Sequence, residues 1–320
     1  MSRAWLEVRV LGKAVEAVDI VSLELGSLDG AGLPPFSAGS HIDVELPNGL
    51  VRQYSLCNDA SETHRYVIGV LLDPATRGGS RSVHDDIAAG ATIRISEPRN
   101  HFHLAHAGHS MLFAGGIGVT PILCMAERLA ATGAAFEMHY CARSRDRMAF
   151  VERIGRAAFS ARVSLHFDDG EAAQRLDTKA VLAGPRADTH LYVCGPKGFM
   201  DHVIGTARAS GWAEPNIHFE YFAGAAQDPP ANSAFQVRIA SSGRLVSVGA
   251  DQTIVAALAA SGIDVPVSCE QGVCGTCITG VLDGVPQHRD MYFSDAEKAA
   301  NDQMTVCCSR SSTPLLVLDL

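Results

Sequence analysis

The sequence predicts a multidomain chain: a small antiparallel β-barrel, then an α/β domain with a parallel sheet, then a compact cysteine-rich module. Three observations carry that expectation. Short alternating apolar segments separated by turn residues fill roughly the first hundred positions. From residue 110 apolar strands alternate with amphipathic helical stretches, the pattern of a parallel sheet covered by helices. Five of the nine cysteines fall beyond residue 232. A length of 320 residues also exceeds what one core usually organises.

The barrel strands are expected at 5–11, 20–25, 41–46, 51–56, 66–72 and 92–96, giving a first domain over 1–105. The second domain, 106–226, takes its elements from 111–114, 121–131, 135–140, 162–167 and 191–194. Residues 225–232, Ala-Ala-Gln-Asp-Pro-Pro-Ala-Asn, are polar, proline-bearing and without periodicity, so a linker is placed at 227–232. The third domain, 233–320, opens with strands at 235–239 and 244–248 and a helix at 253–261, for which Asp251 is the candidate cap.

Composition narrows the function. Hydrophobic residues make up 47% and the formal net charge is -9, with no basic cluster able to neutralise several phosphates, which argues against nucleic-acid binding. An acidic surface suits a basic protein partner. The segment 1–10 lacks a long apolar core behind a positive start, and no run reaches the roughly 18 apolar residues that span a bilayer. No membrane association is expected, and the cytoplasm is the expected compartment. An odd count of nine cysteines without a secretion signal points to reduced thiols and metal ligation.

Spacing identifies the ligation. Cys269, Cys274 and Cys277 form C-x4-C-x2-C, with Cys307 and Cys308 about thirty residues on, which is the spacing of plant-type 2Fe-2S ferredoxins. Gly272 and Gly275 let such a loop curl around inorganic sulfur and aim backbone N–H groups at it. The competing zinc site usually pairs two C-x2-C knuckles or adds histidines, and neither accompanies this loop. His101, His103, His106 and His109 share no period that would converge them on an ion, and Cys57, Cys124 and Cys141 are expected to pack as small hydrophobes.

The cysteine segment resembles the ferredoxin module of the phthalate dioxygenase reductase family, which includes the reductases of vanillate demethylase systems. The resemblance implies a β-grasp ferredoxin domain. Those proteins carry a Cys-Val-Ser-Arg segment for the fourth ligand, matched here by Cys307-Cys308-Ser309-Arg310, so Cys307 is the implied ligand and Cys308 is expected to pack as a small hydrophobe.

Two earlier motif sets fit the same family. In Arg52-Gln53-Tyr54-Ser55-Leu56-Cys57-Asn58, alternation on a strand puts Arg52 and Tyr54 on one side, where a phosphate clamp and a stacking surface can serve one ligand. Arg77-Gly78-Gly79-Ser80 precedes a helical stretch at 82–87, and glycines there expose N–H groups to an anion. The resemblance to ferredoxin reductase-like barrels implies a flavin held by Arg52, Tyr54, Ser55 and Leu56, with Ser55 near the hydride-accepting N5. It further implies FMN, with its phosphate at Arg77, Gly78, Gly79 and Ser80. Leu71 stands where some relatives carry lysine.

In the second domain Gly115-Gly116-Ile117-Gly118-Val119-Thr120-Pro121 follows an apolar strand, and its glycines suit close approach to a pyrophosphate. Thr120 is the expected cap, Pro121 the first helical residue and Gly133 the stop. Cys194-Gly195-Pro196-Lys197-Gly198-Phe199-Met200 ends a later strand. By resemblance these are the nicotinamide loops: Gly115, Gly116, Gly118, Thr120, Pro121, Gly195, Pro196 and Met200 hold the nucleotide, and Thr120 and Cys194 flank its reactive ring. Arg143 and Ser144 follow the second strand of the domain without the acid that commonly holds a ribose hydroxyl, leaving NADPH open, whereas family usage favours NADH. Phe222, in His218-Phe219-Glu220-Tyr221-Phe222, is the aromatic implied to cover the flavin.

Together these imply the reductase component of a multicomponent oxygenase, taking hydride from NADH and passing single electrons through flavin and cluster to a terminal Rieske oxygenase. The chain has no Cys-x-His or Cys-x-x-His pair, so oxygen activation falls to the partner. The alternatives are a reductase for a diiron hydroxylase, whose relatives usually place the ferredoxin first, and a non-enzymatic redox sensor.

Overall fold

The computed structural model describes residues 5–74, 76–222 and 232–320. It divides into two compact units, Met1–Glu220 and Tyr221–Leu320. The expected linker at 227–232 lies outside the described residues except for Asn232.

The first unit begins with seven antiparallel strands: β1 (Trp5–Ala17), β2 (Ile20–Ser27), β3 (Ser40–Glu45), β4 (Val51–Ser55), β5 (Tyr66–Leu71), β6 (Thr92–Ser96) and β7 (Arg99–Asn100). Their order is β4-β3-β6-β1-β2-β5, with β7 on β3. A bridge between Leu56 and Ile68 joins the two edge strands, so the sheet closes on itself around Val8, Leu23, Ile42, Leu56, Ile68 and Ile95. β1 runs past the expected residue 11 because irregularities between Val10 and Gly12 and between Val15 and Ala17 bend it along β2. α1 (Gly79–Asp86) starts three residues earlier than the sequence pattern gave, and Lys13 donates from Nζ to the carbonyls of Val83, His84 and Ile87 at its far end.

The same unit continues as a parallel sheet, β8 (His109–Gly115), β9 (Phe136–Ala142), β10 (Val163–Phe167), β11 (Thr189–Cys194) and β12 (Ile217–Glu220), in the order β10-β9-β8-β11-β12. The direction of winding reverses between β8 and β11, and ligands of open parallel sheets bind beyond the strand ends at that reversal. The helices are α2 (Val119–Ala131), α3 (Val151–Arg156), α4 (Thr178–Val181) and α5 (Lys197–Ala209). The expected start of α2 is corrected: a short 3-10 turn at Gly116–Gly118 leads into Val119, and Gly118 occupies the cap position. Thr120 cannot cap, because its hydroxyl reaches back to the Ile117 carbonyl. Gly133 does end the helix, at φ 69°.

The second unit is a mixed sheet in the order β14-β13-β19-β15-β17, built from β13 (Phe235–Ile239), β14 (Leu245–Val248), β15 (Ile278–Asp283), β17 (Gln303–Thr305) and β19 (Leu315–Leu318). β16 (Pro286–Gln287) pairs separately with β18 (Arg310–Ser311). α6 (Ile254–Ala260) packs Ile254 and Leu258 against Val237, Val248 and Leu316, the sheet-around-helix arrangement of a β-grasp domain. α7 (Asp295–Ala300) carries a reciprocal Ser294 and Glu297 cap. The cap of α6 is Thr253, which accepts from the Ala256 N–H; Asp251 lies too far upstream. Among the described residues no helix is long and apolar enough to cross a membrane.

Gly69 sets the contact between barrel and parallel sheet: a methyl there would lie 2.9 Å from Thr120 Cγ2 and 3.2 Å from the Phe150 ring. Gly69→Ala is expected to cost about 1–3 kcal/mol by overpacking, read from the urea unfolding midpoint at unchanged slope.

Candidate functional site

The two anion-binding pieces meet. Arg52 on β4 lies across the start of α1, where a methyl on Gly79 would stand 2.8 Å from Arg52 Nε and 2.9 Å from its Cγ. Gly78 takes φ 94°, its carbonyl accepts from Asn48 Nδ2, and Ser80 Oγ accepts from the Asp73 N–H. A guanidinium beside the open N–H groups of a helix N-terminus, with no Cβ between them, fits a phosphate. Arg77 lies exposed at the rim, and Tyr54 packs against the barrel core, where burial pushes its phenol well above the ordinary range.

At the winding reversal the two nucleotide loops touch backbone to backbone. A methyl on Gly118 would lie 2.2 Å from the Cys194 carbonyl oxygen, and one on Gly195 would lie 2.9 Å from Gly115 Cα. Gly115 is likewise closed by Phe199 and Pro196, whereas Gly116, at φ 53°, faces open space. Close packing of loop on loop therefore requires Gly115, Gly118 and Gly195, in addition to any approach of a pyrophosphate. Thr120 is buried with its methyl toward Gly69, Pro121 is buried within the first turn of α2, and Met200 is fully buried beneath the loop. These three support the loop from within the core.

Cys194 ends β11 fully buried, and in register with Glu220 of β12. Ser55, at the end of β4, donates to Glu220 Oε2 at 3.5 Å. Ser55, Cys194 and Glu220 thus converge from barrel and parallel sheet, with Leu56 buried behind Ser55. Burial, and then the Glu220 carboxylate, hold the Cys194 thiol well above its usual range; burial raises Glu220 itself to about 8. Sequence reasoning stopped at Phe222 and missed Glu220, although the signal was present: an acid at the carboxyl end of a strand next to the winding reversal. Phe222 belongs to the second unit and is 37% exposed. Arg143 and Ser144 follow β9 as expected, but the chain brings Asp168 and Asp169 beside them: their N–H groups donate to the carbonyls of Ala142 and Arg143.

In the second unit the four cysteine ligand candidates are all buried and fall into two pairs by sulfur contact, Cys269 with Cys274 and Cys277 with Cys307. Hydrogen bonding from Cys269 lowers the Cys274 thiol, and hydrogen bonding from Cys307 lowers the Cys277 thiol. Among the described residues no three histidine, cysteine or acidic side chains converge on a point suited to one ion. Two pairs fit two irons better than one zinc. Gly272 and Gly275 take φ 72° and 70°, and a methyl on either would collide with Cys308 Sγ and Asp290 or with the Tyr292 ring. Cys308 is not a plain hydrophobe: it is half-buried over Gly272, with Sγ 3.3 Å from Thr305 Oγ1. Arg310 anchors this segment by donating to the carbonyls of Ser233, Gly249 and Gln252.

A family described as "2Fe-2S iron-sulfur cluster binding domain" matches residues 237–312. The chain is 57% identical over 313 residues to vanillate O-demethylase oxidoreductase of Pseudomonas putida, covering 97% of this chain and 98% of that one. It is 39% identical to phthalate dioxygenase reductase of Burkholderia cepacia over 99% of this chain and 98% of that one. A solved phthalate dioxygenase reductase, described as modular for electron transfer from pyridine nucleotides to 2Fe-2S, superimposes with a TM-score of 0.80 over 99% of this chain and 98% of its own.

Cys307→Ser is expected to lose or strongly perturb the visible cluster absorbance and electron paramagnetic resonance signal, and Cys308→Ser to keep both. The reverse outcome would transfer the ligand role to Cys308.

Proposed function

Because the chain belongs to the family of oxygenase reductases that includes phthalate dioxygenase reductase and vanillate O-demethylase oxidoreductase, we propose that its flavin is FMN and that the oxygenase it serves is of the Rieske type. The protein is an NADH-dependent oxidoreductase that delivers electrons through a flavin and a 2Fe-2S cluster to an oxygenase component. FMN is favoured by the anion cradle formed by Arg52 with Gly78, Gly79 and Ser80, which suits a single terminal phosphate. Bound there, the flavin supplies a two-electron acceptor that can give electrons up one at a time.

The observation that carries the hydride reading is the convergence of Ser55, Cys194 and Glu220. Arg52 clamps the phosphate and Tyr54 packs against the ring, so the reacting edge lies at Ser55. Gly115, Gly116 and Gly118 cradle the nucleotide diphosphate, while Cys194, Gly195 and Pro196 bring the nicotinamide over the same spot. Thr120, Pro121 and Met200 hold those loops rigid from below. Phe222 is the candidate aromatic for covering the flavin face. Arg143 and Ser144 receive the adenosine ribose. Cys269 and Cys274 hold one iron, Cys277 and Cys307 the other.

Purified protein is expected to contain two irons and one FMN per chain, by metal analysis and chromatography of the released flavin; zinc, or FAD, would overturn the assignment. The same protein should reduce a purified Rieske oxygenase encoded by an adjacent reading frame carrying C-x-H and C-x-x-H ligands.

We further propose that the domains are 1–105, 106–226 and 233–320, joined by the linker 227–232. A fragment ending near Gln227 is then expected to bind FMN and oxidise NADH with ferricyanide but to fail with the oxygenase, because the cluster route is gone. Full oxygenase reduction by that fragment would remove the cluster from the path.

A further inference from the structure

Oxidising one NADH to NAD+ releases two electrons and one proton. The electrons leave singly toward the cluster, so one proton per turnover has to reach solvent. What carries that proton is open, and the barrel holds one residue with no other evident use. His41 on β3 is 2% exposed, and neither ring nitrogen has a hydrogen-bond partner. A buried polar side chain left in that state costs free energy and calls for a function.

Its position is specific. His41 is the direct register partner of Ser55 across β3 and β4. Its Nδ1 stands 4.0 Å from Glu220 Oε1, while the other carboxylate oxygen, Oε2, takes the Ser55 hydroxyl at 3.5 Å. The imidazole also lies beside His101, ring centroids 5.4 Å apart and tilted 31°, and His101 is exposed. The charged groups around this line are Arg99, whose guanidinium pairs with the fully buried Asp43, and the Cys194 thiol against Glu220.

We propose that the proton released in each turnover leaves by way of Ser55, Glu220, His41 and His101, with His41 linking the half-buried carboxylate to the exposed imidazole. This rests on the hydride acceptor lying beside Ser55. The Ser55 hydroxyl passes a proton to Glu220 Oε2, and the carboxyl gives one up from Oε1 toward His41 Nδ1. A neutral imidazole takes a proton on one nitrogen as it releases one from the other, so no charge is stored in the core. The 4.0 Å gap is one that a water or a small rotation closes. Environment favours carriers over fixed charges: burial raises Glu220 to about 8, and burial with Arg99 and His101 lowers His41 to about 3.

Rapid mixing without oxygen separates the two halves of the reaction in the intact protein. In His41→Ala, flavin reduction by NADH is expected within about twofold of the parent, while reoxidation by ferricyanide slows about tenfold, shows an enlarged solvent deuterium effect and recovers with added imidazole. His101→Ala, at the surface, should give a smaller slowing that concentrated buffer removes. In the resting protein, Glu220→Gln should shift the His41 ring signals in carbon-13 histidine spectra, a readout independent of turnover. Reoxidation and isotope effect unchanged in His41→Ala would overturn the route. If His41→Ala fails to retain flavin, unchanged reoxidation in His101→Ala with unmoved His41 signals in Glu220→Gln overturns it equally. A failure of the underlying site shows differently: Ser55→Ala would leave flavin reduction by NADH untouched.

Discussion

Everything at the proposed hydride-transfer site depends on the approach of two backbones, Gly118 against the carbonyl of Cys194. A side chain at 115, 118 or 195 would force the glycine loop away from the end of β11. The crevice at the winding reversal would then open, and the ring of a bound nicotinamide would have no fixed floor. Hydride transfer is steep in distance, so a displacement of this kind costs rate without removing any chemical group. Gly69 applies the same logic one layer out, where absence of a methyl lets the barrel reach Thr120 and Phe150.

The ferredoxin unit solves a comparable problem with anchors. Its cysteine loop contains no regular element between α6 and β15, yet the thiols have to be held in two pairs. The Met291 N–H donates to the Gly272 carbonyl, and Asp290 accepts from the N–H groups of Tyr292 and Phe293. Ser309 donates to the same carboxylate, and Arg310 ties the fourth-ligand segment to three carbonyls. A buried arginine satisfied in this way trades one desolvated charge for fixed geometry at Cys307.

Much of this was legible in the sequence, because the strong signals are local. Period-two alternation placed the barrel strands within a residue or two except at the far end of β1, and the cysteine spacing named all four thiols that pair. What stayed hidden depends on contacts between distant segments. β7 is two residues long and exists only as a partner of β3. Thr120 looks like a cap until a 3-10 turn occupies its place. Arg52 and Gly79 belong to separate motifs whose meeting only the fold reveals, and Glu220 is one acid among many until β12 lies beside Cys194.

The nucleotide pocket shows the same limit. Along the chain, Arg143 and Ser144 follow β9 without an acid, which left a 2′-phosphate open. In three dimensions Arg147 is engaged by Asp19, Asp146 binds Ser144, and Asp168 and Asp169 from the neighbouring strand end stand next to Arg143. One of these arginines is therefore engaged by a carboxylate from a distant segment rather than held ready for a ligand. The acid absent directly after β9 stands after β10 instead, on a segment that pairs backbone to backbone with Ala142 and Arg143.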